Sequence, residues 1–113
     1  MNKREIGTAF EQEACRFLRD KGMEIICTNY TCKAGEIDII ARDGQYLVFC
    51  EVKFRSSGKA GGAFYAISKA KMDRITKAAR WFMNERHISQ NTFCRFDAVL
   101  IDGNEISHVA NAW

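Results

Sequence analysis

The chain has 113 residues, of which 47% are hydrophobic and 27% charged, and this predicts one globular domain over residues 1–113. The net charge of +3 is a mild bias towards anionic partners and excludes the strong basic excess of histone-like proteins. No apolar run approaches the ~18 residues of a membrane span, and no hydrophobic segment follows the basic N-terminal residues. The five cysteines form no C-x-x-C pair. We therefore expect a soluble cytoplasmic protein with free thiols and no membrane contact.

The first predicted element is a helix from Arg4 to about Lys21. Apolar residues recur there at helical spacing, and Gly22 follows immediately as a stop signal. The residues after Gly22 are β-prone, and Asp43-Gly44 is typical of a turn between two strands. Three strands are predicted in this part of the chain, at residues 23–31, 36–41 and 45–54.

The second half of the chain begins with a basic, glycine-rich loop at residues 56–62. A second helix is predicted from about Ala66 to Arg86, with Ile75, Ala79 and Phe82 on one stripe. Two last strands are predicted at residues 93–101 and 105–109. The element order is then α-β-β-β-α-β-β, which indicates an α/β fold.

The residues with the clearest chemical signal lie on the predicted hairpin of the second and third strands. A two-residue turn would place Arg42 opposite Gln45, and a four-residue loop would place Asp38 directly opposite Glu51. Both alternatives put Asp38, Glu51 and Lys53 on one face, because side chains alternate along a strand. A three-residue loop would break this arrangement.

Charged side chains at the end of a largely apolar strand need compensation. Two carboxylates and an ammonium clustered there would be costly without a partner, and a divalent cation would supply one. Asp38 and Glu51 offer the hard oxygen ligands that Mg²⁺ favours. Lys53 could orient an attacking water or neutralise charge on a phosphate. The pattern therefore indicates metal-assisted phosphodiester hydrolysis.

Asp38 and the Glu51-Val52-Lys53 segment, separated by twelve intervening residues, resemble the PD-(D/E)-x-K signature of restriction-endonuclease-like nucleases, with Ile37 in place of the proline. Across nearly the whole chain the sequence looks more closely like the YraN-like family of small bacterial proteins, which is grouped with archaeal Holliday-junction resolvases. The matching segments are Gly7-x-x-x-Glu11, Asn29-Tyr30, Gly35-Glu36-Ile37-Asp38-Ile39-Ile40, Phe49-Cys50-Glu51-Val52-Lys53-x-Arg55, Lys71 and Arg95-Phe96-Asp97.

This resemblance implies a restriction-endonuclease-like core with a central mixed sheet flanked by helices. It implies a Mg²⁺-dependent endonuclease, with Mn²⁺ as an alternative ion, that cuts branched or otherwise structured DNA. Asp38 and Glu51 would ligate the metal and Glu11 would complete the set. Periodicity alone does not choose between Glu11 and Glu13, although Gly7 leaves room one turn before Glu11. A homodimer is expected, because a two-fold junction needs two sites.

Several basic residues are candidate nucleic-acid contacts. Arg55 and Lys59 could bind phosphates as part of the glycine-rich loop, although a solvated surface loop explains them equally well. Lys71 lies on the apolar stripe of the second helix, and we expect its ammonium to point inward or along the sheet. Contact with a phosphate is one role for it and simple snorkelling is another.

The remaining polar and aromatic residues receive more modest interpretations. Glu36 shares the face of Asp38 and is expected to support the site, with direct ligation of the metal as the alternative. Arg95 and Asp97 are expected to form an intramolecular ion pair, with catalysis as the alternative. Tyr30, Tyr65, Trp81 and Trp113 are candidates for stacking on bases, although Trp81 is expected to pack in a core or an interface. His87 and His108 have no assigned role. The alternatives to a nuclease are a solvated surface ion pair at Asp38, Glu51 and Lys53, or a non-catalytic nucleic-acid-binding or protein-interaction module with the same fold.

Overall fold

A computed structural model describes residues 2–55 and 67–113 of the protein. Within these residues, the elements follow the predicted order and confirm the α/β fold class. The helices and strands are α1 (Lys3–Asp20), β1 (Glu24–Cys32), β2 (Gly35–Asp43), β3 (Tyr46–Arg55), α2 (Lys69–Glu85), β4 (Cys94–Asp102) and β5 (Glu105–Val109).

The described strands form one mixed sheet in the order β1-β2-β3-β4-β5. Neighbouring strands are antiparallel except β3 and β4, which are parallel. Parallel neighbours need a crossover connection, and α2 lies on the connection between these two strands. The expected mixed sheet flanked by helices is therefore confirmed.

The two helices cover opposite faces of the sheet, and β3 shows why. Val48, Cys50 and Val52 point into a core shared with α1. Leu47 and Phe49 point into a second core shared with α2. Because every residue from Leu47 to Val52 is buried, the polar Glu51 is held within a central, apolar strand. No helix in the described residues is long and apolar enough to cross a membrane.

The start of α2 corrects a sequence prediction. The predicted start at Ala66 lies outside the described residues, and the helix itself begins at Lys69. Ser68 sets this boundary, because its Oγ accepts a hydrogen bond from the Lys71 backbone N–H at 3.1 Å. The glycine-rich loop at residues 56–62, with its predicted contact Lys59, and Tyr65 also lie outside the described residues.

The pairing of β2 with β3 settles the register that the sequence left open. Arg42 pairs with Leu47, as in the four-residue alternative, and Asp43 also pairs with Tyr46. The pairs continue to Ile39 and Cys50 and then stop. Beyond that point β2 remains paired with β1, and β3 remains paired with β4, but β2 and β3 no longer pair with each other. The two strands thus form a fork, and Asp38 and Glu51 are the first residues beyond it.

Candidate acidic site at the fork between β2 and β3

The Asp38 carboxylate takes part in the backbone bonding of the fork. Its Oδ2 accepts a hydrogen bond from the Val52 backbone N–H at 2.8 Å. This side chain therefore satisfies a buried backbone donor on β3 where strand-to-strand pairing has ended. The bond fixes Asp38 beside Glu51, the residue that precedes Val52.

Asp38 and Glu51 form a pair of interacting acids. Burial raises the pKa of Asp38 above its ordinary 3.8, the negative charge of Glu51 raises it further, and the Val52 hydrogen bond partly opposes the shift, so that the pKa of Asp38 is about 8. Glu51 itself is only 4% exposed. Two interacting carboxylates at such a site do not both ionise unless a cation compensates their charge, and otherwise one of them keeps a proton.

Lys71, from the first turn of α2, supplies one compensating charge. Its Nζ lies 3.0 Å from Glu51 Oε1. The lysine side chain remains 43% exposed, so its stem crosses from solvent to the buried carboxylate. This confirms that Lys71 reaches inward along the sheet. A phosphate contact by Lys71 stays a prediction.

Glu11 is the acid of α1 that faces the fork. Burial raises its pKa, the hydrogen-bonded Asn29 side chain opposes the shift, and the charges of Glu36 and Glu51 add to it. Asn29 itself has a positive φ of 53°, a conformation that asparagine tolerates better than most residues. Glu13 is exposed. The tertiary structure thus identifies Glu11, rather than Glu13, as the acid that faces the fork, a choice that helical periodicity left open.

Two recesses meet at Glu36. One has a volume of about 270 Å³ and is lined by Glu36, Asp38, Glu51, Lys71, Arg74 and Ile75. The other has a volume of about 550 Å³ and runs beside the first half of α1, lined by Arg4, Gly7, Thr8, Glu11, Asn29, Thr31 and Glu36. Glu36 is exposed and borders both recesses, beside Asp38 as its position on the strand suggested. Its supporting role stays a prediction.

Lys53 and Arg55, which are also predicted site residues, lie at the C-terminal end of β3. Lys53 is half-buried, pairs with Leu100 of β4 and follows Glu51 by two residues, so it shares the Glu51 face by strand alternation. It is not among the described residues that line the recess at Asp38. Arg55 ends the strand and is also half-buried. Their assigned roles in catalysis and nucleic-acid binding stay predictions.

The carboxylate oxygens at the fork suit a hard cation that is held by two protein ligands. In the described part of the chain, no three His, Cys, Asp or Glu side chains are grouped as a ready metal site. Mg²⁺ is commonly held by one or two carboxylates, with waters and substrate oxygens completing its shell. Asp38 and Glu51 suit this mode, since the raised pKa of Asp38 reflects an unmet need for positive charge at the fork.

A second polar cluster surrounds Asp97, and the sequence identified only part of it. Arg95 Nη2 donates to Asp97 Oδ2 at 2.8 Å, which confirms the predicted ion pair. His108 Nε2 lies 2.6 Å from the same oxygen, and the Asn111 backbone N–H donates to Oδ1. Burial would raise the pKa of Asp97, but the bonds from His108, Arg95 and Asn111 lower it to about 2. His108 therefore has a structural partner that its sequence position did not reveal.

Trp81 does not pack in the core, which corrects that part of its prediction. The buried residues of α2 are Ile75, Ala78, Ala79, Phe82 and Met83, and Trp81 is 44% exposed on another side of the helix. The core already has large rings in Phe49 and Phe82, which meet edge to face. Sequence analysis also missed Arg74, whose position beside the acidic recess depends on how α2 packs.

The sheet, its two flanking helices and the acids at the fork define an α/β protein with a nuclease-like core. The profile of a family described as "Uncharacterised protein family UPF0102" matches residues 10–101. The chain belongs to this family, which confirms the resemblance found in the sequence.

Individual relatives match the chain almost from end to end. A UPF0102 protein of Lachnoclostridium phytofermentans is 41% identical over 100% of this chain and 96% of its own length. One from a Sulfurihydrogenibium species is 41% identical over 100% of this chain and 97% of its own. One from Hahella chejuensis is 42% identical over 96% of this chain and 86% of its own.

Proposed function

We propose that this protein is a Mg²⁺-dependent endonuclease that hydrolyses phosphodiester bonds in branched or otherwise structured DNA. The observation that carries the proposal is the pairing of Asp38 with the buried Glu51 at the fork, where the pKa of Asp38 is raised to about 8. Lys71 supplies one positive charge for these two acids. Two acids held together in the lining of a recess therefore suit the binding of a further cation.

Asp38 and Glu51 would hold the metal ion, and Glu11, whose pKa both Glu36 and Glu51 raise, would complete its ligands directly or through water. Bound there, Mg²⁺ would supply Lewis acidity to a phosphodiester and to an attacking water. The Val52 N–H keeps Asp38 oriented, so the two carboxylates need little rearrangement to bind. Mn²⁺, with similar oxygen preferences, is an alternative ion.

Three cations would act on the substrate. Lys53, on the Glu51 face of β3, would orient the water or balance charge that builds up on the phosphate. Lys71 would exchange Glu51 for a phosphate oxygen once a metal ion neutralises that carboxylate. Arg74 borders the same recess and would hold a neighbouring phosphate. A homodimer would present two such sites to a two-fold junction.

The experiment combines metal binding with cleavage. Calorimetric titration with Mg²⁺ and Mn²⁺ would compare wild type with the Asp38→Asn/Glu51→Gln variant, which keeps side-chain shape and removes both charges. Each protein would then be incubated with branched, single-stranded and linear duplex DNA. We expect the wild type to bind metal and to cut, with branched DNA cut fastest, and the variant to do neither.

Glu11→Gln and Glu13→Gln form a matched pair on one helix. We expect Glu11→Gln to weaken metal binding and Glu13→Gln to behave as wild type, because Glu13 is exposed. Wild-type protein that binds DNA with no cleavage in either metal would favour the non-catalytic binding module. Protein that binds neither metal nor DNA would refute the proposal.

A further inference from the structure

A basic and aromatic stripe runs along the exposed side of α2. Arg74, Lys77 and Trp81 follow one another at spacings of three and four residues, which places them on one face of the helix. All three are exposed, and Trp81 presents its ring with 44% of the residue accessible. A large aromatic ring flanked by cations is the composition of a surface that binds nucleic-acid bases and phosphates together.

The stripe borders an open groove of about 510 Å³, whose described lining is Ala34, Lys77, Arg80, Trp81, Asn84 and Glu85. One wall is α2 and the other is the turn between β1 and β2, next to Gly35. A Cβ on Gly35 would lie 3.3 Å from Arg74 Cβ, so glycine there permits the close approach of the turn to the helix. The packing of these two elements thus forms the groove.

The charges in this groove favour an anionic occupant. In the described part of the chain, the ion pairs involve Lys71, Arg95 and His108, and none of them contains Arg74, Lys77 or Arg80. The acid on the groove wall, Glu85, is engaged by the Tyr30 hydroxyl, which donates a hydrogen bond to it. Among the described residues, Lys77 and Arg80 on the groove wall and Arg74 beside the groove form no salt bridge with a carboxylate, and with the one acid occupied they give the groove a positive balance.

The groove and the acidic site follow one another along α2. Arg74 lines the recess with Asp38 and Glu51, and Lys77 lines the groove about one helical turn later. From Arg74 to Trp81 the helix rises ~10.5 Å. This length corresponds to about three nucleotides at ~3.4 Å per stacked base.

We propose that the groove on α2 binds a single-stranded segment of nucleic acid that leads into the acidic site. Arg74, Lys77 and Arg80 contact its phosphates, and Trp81 stacks on one unpaired base. Within a duplex no base face is free for this ring, because the interior bases are already stacked on each other. The proposal rests on the proposed function and specifies its substrate: a structured DNA with unpaired nucleotides next to the bond that is cut.

The test is fluorescence anisotropy in EDTA, so that no hydrolysis takes place, with labelled dT12, a blunt duplex, and the same duplex carrying a dT6 overhang. Wild type is expected to prefer dT12 and the overhang duplex over the blunt duplex. Trp81→Ala is expected to weaken binding to both by about 5- to 100-fold, the range for loss of one stacked base. Arg74→Ala/Lys77→Ala is expected to lower the slope of log K against log salt by about 1.4, or ~0.7 for each phosphate contact to a single strand.

Matched controls separate local contacts from general charge and folding. Arg16→Ala/Arg42→Ala removes two exposed cations elsewhere, and Phe93→Ala removes another exposed ring, 57% accessible. Both should bind as wild type does. Trp81→Phe keeps a stacking ring and should recover most of the affinity, and circular dichroism would verify the fold of each variant.

The outcomes distinguish this inference from the proposed function. Equal binding of dT12 by Trp81→Ala and wild type overturns the groove, even if branched DNA is still cut. Loss of binding in Trp81→Ala, with recovery in Trp81→Phe, supports the groove even in a protein that cuts nothing. Tighter binding of the blunt duplex than of the overhang duplex also overturns it.

Discussion

Lys71 Nζ lies 3.0 Å from Glu51 Oε1, and this contact joins a half-buried helix residue to a glutamate that is 4% exposed. In the absence of metal, the Lys71 ammonium compensates the negative charge of Glu51. A bound metal ion would take over that function and release the ammonium for a phosphate. The ion pair therefore links the two halves of the proposed site, the metal-binding carboxylates and the phosphate-binding cations.

Lys71→Met tests this exchange. Removing the ammonium leaves the Asp38–Glu51 pair more negative, so we expect Mg²⁺ to bind about 3- to 10-fold more tightly by calorimetry. Without metal, the variant should be destabilised by about 1–3 kcal/mol in urea denaturation, because the buried Glu51 loses its ion-pair partner. The loss is limited because the Lys71 side chain is partly solvated. Lys69→Met, an exposed lysine in the same helical turn, is the control. Unchanged or weaker metal binding would contradict the exchange.

The raised pKa of Asp38 makes stability depend on pH. The folded protein binds this proton more tightly than the unfolded chain, so metal-free wild type should lose stability as pH rises from about 4 to about 8. Asp38→Asn keeps an oxygen for the Val52 N–H and has no charge to lose. At pH 8 it should be more stable than wild type by roughly 1–3 kcal/mol, a difference that vanishes near pH 4.

Thermal denaturation at several pH values, with and without Mg²⁺, measures this effect. Mg²⁺ should stabilise wild type at pH 8 and leave Asp38→Asn unchanged. The exposed Asp73 provides the control, since Asp73→Asn should follow the wild-type profile. Parallel stability curves for wild type and Asp38→Asn would show that Asp38 does not hold a proton in the folded state.

The contribution of Asp97 to folding stability depends on pH in the opposite direction. Its pKa is lowered to about 2, so its contribution to stability is present above the ordinary value of 3.8 and disappears as pH falls through about 2. Asp97→Asn leaves the Arg95 guanidinium without its closest carboxylate. We expect a loss of about 3–5 kcal/mol in urea denaturation at pH 7. Asp20→Asn, at an exposed position, should change little, and a small loss in Asp97→Asn would contradict the structural role.

Two glycines should respond to alanine in opposite directions. Gly35 has a φ of +155°, and a Cβ there would lie 3.3 Å from Arg74 Cβ, so Gly35→Ala should destabilise by about 1–3 kcal/mol. Gly7 lies within α1, and a Cβ there meets nothing within 4 Å. Gly7→Ala should stabilise the protein by about 0.5–1 kcal/mol through helix propensity. Thermal denaturation measures both, and a neutral Gly35→Ala would refute the close approach.

Much of the fold could be predicted from local patterns. Helical periodicity, β-prone composition and turn signals predicted every described element, because each of these signals is carried by a single segment. The start of α2 was harder, since it depends on the Ser68 cap rather than on periodicity. The Arg95–Asp97 pair was predictable because the two residues lie on the same face of one strand.

The sequence by itself determined the order of the elements and the candidate acids Asp38 and Glu51. Only the tertiary structure decided their register, the choice of Glu11 over Glu13 as the acid that faces the fork, and the neighbours Lys71 and Arg74. The physical reason is that alternation and helical period specify which side of an element a residue occupies. The distance to residues on other elements depends on where strand pairing ends and how helices pack, which no single segment encodes.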